Sequence, residues 1–77
     1  MKLTYVTNEY GEWCGVYIDN DLYTEGHSIS TWDWLYLIEK YGAEINDTQQ
    51  REVCGEWLEG CGNLPQKLAD IAEEVFV

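Results

Sequence analysis

Leu3-Thr4-Tyr5-Val6-Thr7, then Trp13-Cys14-Gly15-Val16-Tyr17-Ile18, then Leu22-Tyr23-Thr24, is the stretch that decides the fold class. Leu3, Tyr5 and Thr7 alternate with Thr4 and Val6, as a strand with two unlike faces requires. The run stops at Asn8-Glu9-Tyr10-Gly11, a turn by composition, and a second β-rich run extends from Trp13 to Ile18. Asp19-Asn20-Asp21 interrupts it, and Asn20 tolerates the positive φ that a tight hairpin loop demands. The expectation is a three-stranded antiparallel meander.

After Gly26 the chain reads as successive helices, with Gly60-Cys61-Gly62-Asn63 as a connector before the last. Ser30 followed by Asp33 is an N-cap with an acid in the first turn, and the helix it opens runs to about Tyr41, where Gly42 offers a left-handed C-terminal position. Wound at 3.6 residues per turn, Trp34, Leu35, Leu37, Ile38 and Tyr41 share the inward arc, while Trp32 and Tyr36 fall outside it beside Glu39 and Lys40. Asp47 with Gln50 predicts a second helix to about Glu59, with Val53, Cys54, Trp57 and Leu58 inward and Gly55 marking a kink or a close contact. Pro65 opens a third, with Leu64, Leu68, Ile71, Ala72 and Val75 inward and Gln66, Lys67, Asp70, Glu73 and Glu74 outward. Acids in its last turn oppose the helix dipole. Strands followed by helices give an α+β class: a small antiparallel three-stranded β-meander with two or three helices packed on one face.

Seventy-seven residues make one domain, spanning 1–77, with a single modest core. Fifteen Asp and Glu against four Lys and Arg give a formal charge of -11. Such a chain is repelled by nucleic acid and by anionic membranes, so its partner is expected to be a basic protein, with no direct nucleic acid and no membrane. The apolar share of 45%, with four Trp and six Tyr, excludes a disordered acidic tail. Met1 to Asn8 carries no apolar run of signal-peptide length, and the expected location is the cytoplasm, where Cys14, Cys54 and Cys61 remain thiols.

Sites of chemistry are argued down one by one. Cys14, Cys54, Cys61 and His27 lack the paired spacing of a zinc knuckle, so no metal is expected. Asp19, Asp21, Tyr23 and Glu25 resemble the opening of a calcium loop until Thr24 takes the glycine position and Ser30 the bidentate glutamate position. His27 has no Gly-rich phosphate loop or nucleophile elbow beside it, which argues against an enzyme and against a cofactor.

Two surface signals remain. Trp32 and Tyr36 are large aromatics one turn apart, either covered by the sheet or a chain terminus or serving as an interface anchor. Glu52, Glu56 and Glu59 follow i, i+4, i+7 spacing as an acidic stripe, with Asp47, Asp70, Glu73 and Glu74 near in sequence and almost no lysine among them. Helical carboxylates about 6 Å apart approximate the phosphate spacing of a nucleic acid strand.

In size, acidity and aromatic content the chain resembles the small proteins that phages encode against host defences, among them nucleic-acid-mimicking inhibitors of restriction or CRISPR machinery. The resemblance is one of composition over the whole chain. It implies a non-enzymatic inhibitor or decoy, acting in the host cytoplasm, that docks on the basic groove of a nucleic-acid-binding protein; it carries over no functional residues, and it is the charge and aromatic pattern of this chain that puts forward Glu52, Glu56, Glu59, Trp32, Tyr36, Glu39, Asp70, Glu73 and Glu74 as the partner-binding residues. The competing expectation is an interaction or homodimerisation module that binds through the aromatic helix face, its acidity serving only solubility.

Overall fold

A computed structural model describes all residues from Met1 to Val77. Strands β1 (Lys2–Asn8), β2 (Cys14–Ile18) and β3 (Asp21–Gly26) form the expected antiparallel meander, and helix α1 (Thr31–Tyr41) follows. Then the chain departs from expectation. Asp47–Val53 is a fourth strand, β4, paired parallel to β1, so the sheet is mixed with order β3-β2-β1-β4. A short helix α2 (Gly55–Cys61) and two single 3₁₀ turns, Leu68–Asp70 and Glu73–Val75, complete the fold. The class is α+β; the three-stranded, all-antiparallel sheet is corrected to four strands.

Tertiary pairing explains the correction. β1 would otherwise expose a free edge of backbone N–H and C=O groups beside the fully buried Val6. Pairing with Asp47–Val53 satisfies that edge, buries Val53 and lays the Arg51 guanidinium 3.6 Å over the Phe76 ring. Against this, a capping arrangement at Asp47 and Gln50 weighs little, because helix propensities differ by only about 0.7 kcal/mol per residue.

The third helix is also replaced. Leu64 and Ile71 are buried, as the apolar spacing requires, but the backbone finds partners elsewhere. Leu68 N–H donates to the Asn20 carbonyl and Ala69 N–H to Asn20 Oδ1, both at 2.8 Å, while Leu22 N–H donates to the Gln66 carbonyl. At the far side, Cys54 N–H donates to the Val75 carbonyl and Val77 N–H to that of Glu52. The segment thus crosses the sheet from the β2–β3 hairpin to β4, and Asp70, Glu73 and Glu74 never face a helix C-terminus. Within the hairpin it is Asp19, at φ 53°, that takes the left-handed conformation, which leaves Asn20 to bind this crossing segment.

Alternation along the strands divides the core in two. Val6, Tyr17 and Val53 meet Leu58, Leu64 and Ile71 on one face, beneath α2 and the C-terminal crossing. Val16 and Ile18 meet Leu37 on the other, beneath α1. Helical structure therefore covers both faces of the sheet, correcting the one-face expectation. Gly15 makes the first core possible: a β-carbon there would overlap Leu64.

α1 starts where its cap was read, with Asp33 N–H donating to Ser30 Oγ at 3.1 Å. Its end differs, because Gly42 stays right-handed at φ -53° and the chain turns through Glu44 and Ile45 N–H groups on the Tyr41 carbonyl. Only Leu37 is buried on α1; Trp34 and Tyr41 are half-buried. Leu35 and Ile38, expected inward, are exposed, since a helix lying on a sheet covers one narrow i, i+3, i+7 seam. No helix is long and apolar enough to cross a membrane.

Candidate protein-binding surfaces

Glu9-Tyr10-Gly11-Glu12 forms the turn between β1 and β2, and Asn8 holds it by accepting the Glu12 N–H at 2.8 Å and the Trp13 N–H at 3.4 Å on Oδ1. Glu9 reaches across to α2, where its Oε2 accepts the Gly55 N–H at 2.8 Å. Tyr10 lies against Gly55, at which a β-carbon would overlap the tyrosine ring. The glycine read as a kink or a close contact is the close contact. Tyr10 remains 55% exposed, and the charges of Glu9, Glu56 and Glu59 around it raise its phenol above the ordinary pKa.

Between this turn and α2 lies a cavity of about 150 Å³ lined by Asn8, Glu12, Trp13, His27, Leu58, Glu59 and Gly62. His27 meets the Trp13 ring edge-on at 4.9 Å, and its Nδ1 stands 3.1 Å from the Glu12 carbonyl oxygen. Trp13 Nε1–H and Leu64 N–H both donate to Glu25 Oε1, at 2.9 and 2.8 Å, which commits Glu25 to the fold.

The topology sorts charge by position. The β1–β2 turn, the end of β3, the end of β4 and α2 all lie at one end of the sheet, bringing Glu9, Glu12, Glu25, Glu52, Glu56 and Glu59 there. No lysine joins them, and the one arginine, Arg51, stands in the sheet row of Glu25 on the edge strand. Lys2 starts β1 at the opposite end, 3.9 Å from Asp47; Lys67 pairs with Asp21 beside it; Lys40 sits in the last turn of α1, 5.2 Å from the Tyr41 ring centroid. Arg51 is held by Glu73 through two hydrogen bonds of 3.1 and 3.4 Å, and it draws the Glu73 carboxyl below its ordinary pKa. Its groove, about 480 Å³ and also lined by Lys2, Gln49, Leu68 and Phe76, therefore has its cations already paired.

The sequence-read site residues are dispersed by this arrangement. Glu56 and Glu59 stay together on α2, but Glu52 belongs to β4, with its side chain on the α1 face by strand alternation, so the three do not form a helical stripe. Asp70, Glu73 and Glu74 lie in the C-terminal turns, Glu73 already engaged with Arg51. Trp32 and Tyr36, 69% and 60% exposed, stand with Glu39 on the outer side of α1, across the sheet from α2. Glu9, Tyr10 and Glu12 were not singled out in the sequence, although two acids flanking an aromatic in a turn was the available signal. Cys14 is buried, Cys54 half-buried and Cys61 exposed, and no three His, Cys, Asp or Glu side chains are arranged to hold a metal ion.

Comparison with protein-family models, curated proteins and solved structures finds no match to this chain.

Proposed function

We propose that the protein is a non-enzymatic acidic decoy that docks its glutamate-rich end on the basic groove of a nucleic-acid-binding protein. The observation that carries this reading is the segregation of charge: six glutamates gather at one end, every lysine lies away from it, and the one arginine near it, Arg51, is engaged by Glu73. A solubility coat interleaves both signs; a surface complementary to a cationic groove does not. Glu56 and Glu59 on α2, with Glu12 from the turn, supply the charge that phosphates would otherwise bring. The cavity between Glu12 and Glu59 receives the end of one basic side chain, with the Trp13 ring beneath it as a cation–π surface. Exposed Tyr10 is the apolar anchor. The phage anti-defence setting rests on composition alone, and the partner class follows from charge.

Affinity capture from a lysate of the source organism, loaded at low salt and eluted with a salt gradient, tests the reading. A nucleic-acid-binding protein that elutes at moderate salt, and that added DNA competes away, supports it. Retention indifferent to salt and to DNA removes it.

A second reading, an interaction module with acidity serving only solubility, draws on a different surface: the exposed Trp32, Leu35, Tyr36 and Ile38 of α1.

A further inference from the structure

One side chain of the cavity between the β1–β2 turn and α2 is able to become a cation itself. His27, the only histidine, lines it with Glu12, Trp13 and Glu59. His27 Nδ1 stands 3.1 Å from the Glu12 carbonyl oxygen, and since a carbonyl only accepts, Nδ1 carries the ring hydrogen. A second proton therefore enters at Nε2 and leaves the ring fully charged. Imidazole takes this step over about pH 5 to 8, a range in which carboxylates stay ionised.

The ionised groups around the ring are all carboxylates. Glu12 comes from the turn and Glu59 from α2, while Glu25, on β3, stands behind Trp13 with its Oε1 accepting the Trp13 Nε1–H at 2.9 Å. No lysine or arginine lines the cavity. Its volume of about 150 Å³ has room for one charged head group beside the imidazole, and two positive charges at such separations repel strongly at a protein surface.

We infer that this cavity is a one-cation site, in which an arginine side chain of the basic partner and a proton on His27 exclude one another. The inference rests on the acidic-end reading and adds which residue enters and under what condition. Arginine is selected over lysine by the walls. A guanidinium is flat and weakly hydrated, stacks on an indole face and directs its N–H groups to carboxylates, whereas an ammonium is a compact, strongly hydrated point charge. Trp13 supplies the indole, and the imidazole lies at 78° to it, so the two rings are not stacked. The carboxylates approach from two separate elements, the turn and α2.

These walls are set before anything binds. Asn8 Oδ1 holds the Glu12 and Trp13 N–H groups, and the Glu9 carboxylate fastens the turn to the Gly55 N–H. Neutral His27 leaves the cavity to its carboxylates; protonated His27 supplies the cation from within. Coupling of this kind is reciprocal, so an arginine in the cavity also makes His27 harder to protonate.

The probe is N-acetyl-arginine amide, which carries one positive charge and no titrating amine, added to the full chain while NMR follows the Trp13 indole N–H and the His27 ring. Saturable Trp13 shifts are expected near pH 8, with affinity about tenfold lower near pH 5.5. Saturating probe is expected to lower the His27 titration midpoint by about one pH unit, the same tenfold read from the other side. His27→Asn keeps an N–H donor for the Glu12 carbonyl and takes no proton, and its affinity is expected to be equal at both pH values. His27 is exposed, and an unchanged thermal melt shows that the variant folds. N-acetyl-lysine amide is expected to bind several-fold more weakly near pH 8. No binding at Trp13, equal affinity at both pH values in the wild-type chain, a pH dependence retained by His27→Asn, or lysine bound as well as arginine overturns the inference. The acidic-end reading is decided separately, by the salt and DNA competition of its captured partner.

Discussion

Tyr10 and Gly55 lie 45 residues apart in sequence and touch so closely that no side chain fits between them: a β-carbon on Gly55 would overlap the tyrosine ring. That contact, with the Glu9 carboxylate on the Gly55 N–H, fastens the β1–β2 turn to α2 and so brings Glu9, Glu12, Glu56 and Glu59 to one place. Gly55→Ala is therefore expected to lower stability by about 1–3 kcal/mol in urea unfolding, although alanine is the better helix residue. In a Tyr10→Ala background the same substitution becomes neutral or favourable. Equal costs in both backgrounds would show that the contact does not restrain α2.

A net charge of -11, with only three carboxylates ion-paired, leaves the folded chain under self-repulsion. Added sodium chloride screens it over about 10 Å at 0.1 M, and the melting temperature is expected to rise with salt. A melting temperature that falls or does not move would indicate that the carboxylates are already compensated.

Tyr17 is fully buried and donates its hydroxyl to the Pro65 carbonyl at 2.6 Å. Burial first, then the charges of Glu25 and Asp70, push its pKa far above 10.0. A raised acid stays protonated in the fold while the unfolded chain releases its proton, so its share of stability is whole below pH 10 and is lost as pH climbs above it. Urea unfolding between pH 9 and 11.5 should show stability falling, and Tyr17→Phe should flatten the slope by up to about 1.4 kcal/mol per pH unit. The variant is also expected to be weaker at neutral pH by about 1 kcal/mol, the loss of a hydrogen bond. An unchanged alkaline slope would contradict the assignment.

Thr4 is buried between Tyr17 and Gln49 in the sheet register, and its hydroxyl has no hydrogen-bond partner. Replacing that oxygen by a methyl group removes the desolvation cost and keeps a β-branched residue in a strand. Thr4→Val is expected to raise stability by about 1 kcal/mol in the same unfolding assay; a loss would mean that the hydroxyl is satisfied in solution.

The meander and the start of α1 were legible because their signals are local: alternation from Leu3 to Thr7, and the Ser30 cap. β4 was not. Asp47-Thr48-Gln49-Gln50-Arg51-Glu52 is polar on both sides and carries no period of two, and its partner strand lies more than 40 residues away. The spacing of Leu64, Leu68, Ile71 and Val75 named side chains that do turn inward, yet the backbone that delivers them is bonded to Asn20, Leu22 and β4 and closes on itself only in single 3₁₀ turns. The acidic end was hidden for the same reason. Glu9 and Glu12 approach Glu56 and Glu59 only once α2 docks on the turn, and no spacing along the chain encodes that docking.

The central claim is that Glu56 and Glu59, beside Tyr10 and Glu12, form the surface that meets a basic groove. Its most direct test is the affinity of the captured nucleic-acid-binding protein for the wild-type chain and for Glu56→Lys/Glu59→Lys, measured at low and at moderate salt, with circular dichroism to confirm the fold. The account predicts tight, salt-weakened binding by the wild-type chain and none by the doubly reversed one. Equal affinity for both chains, at either salt concentration, would contradict it.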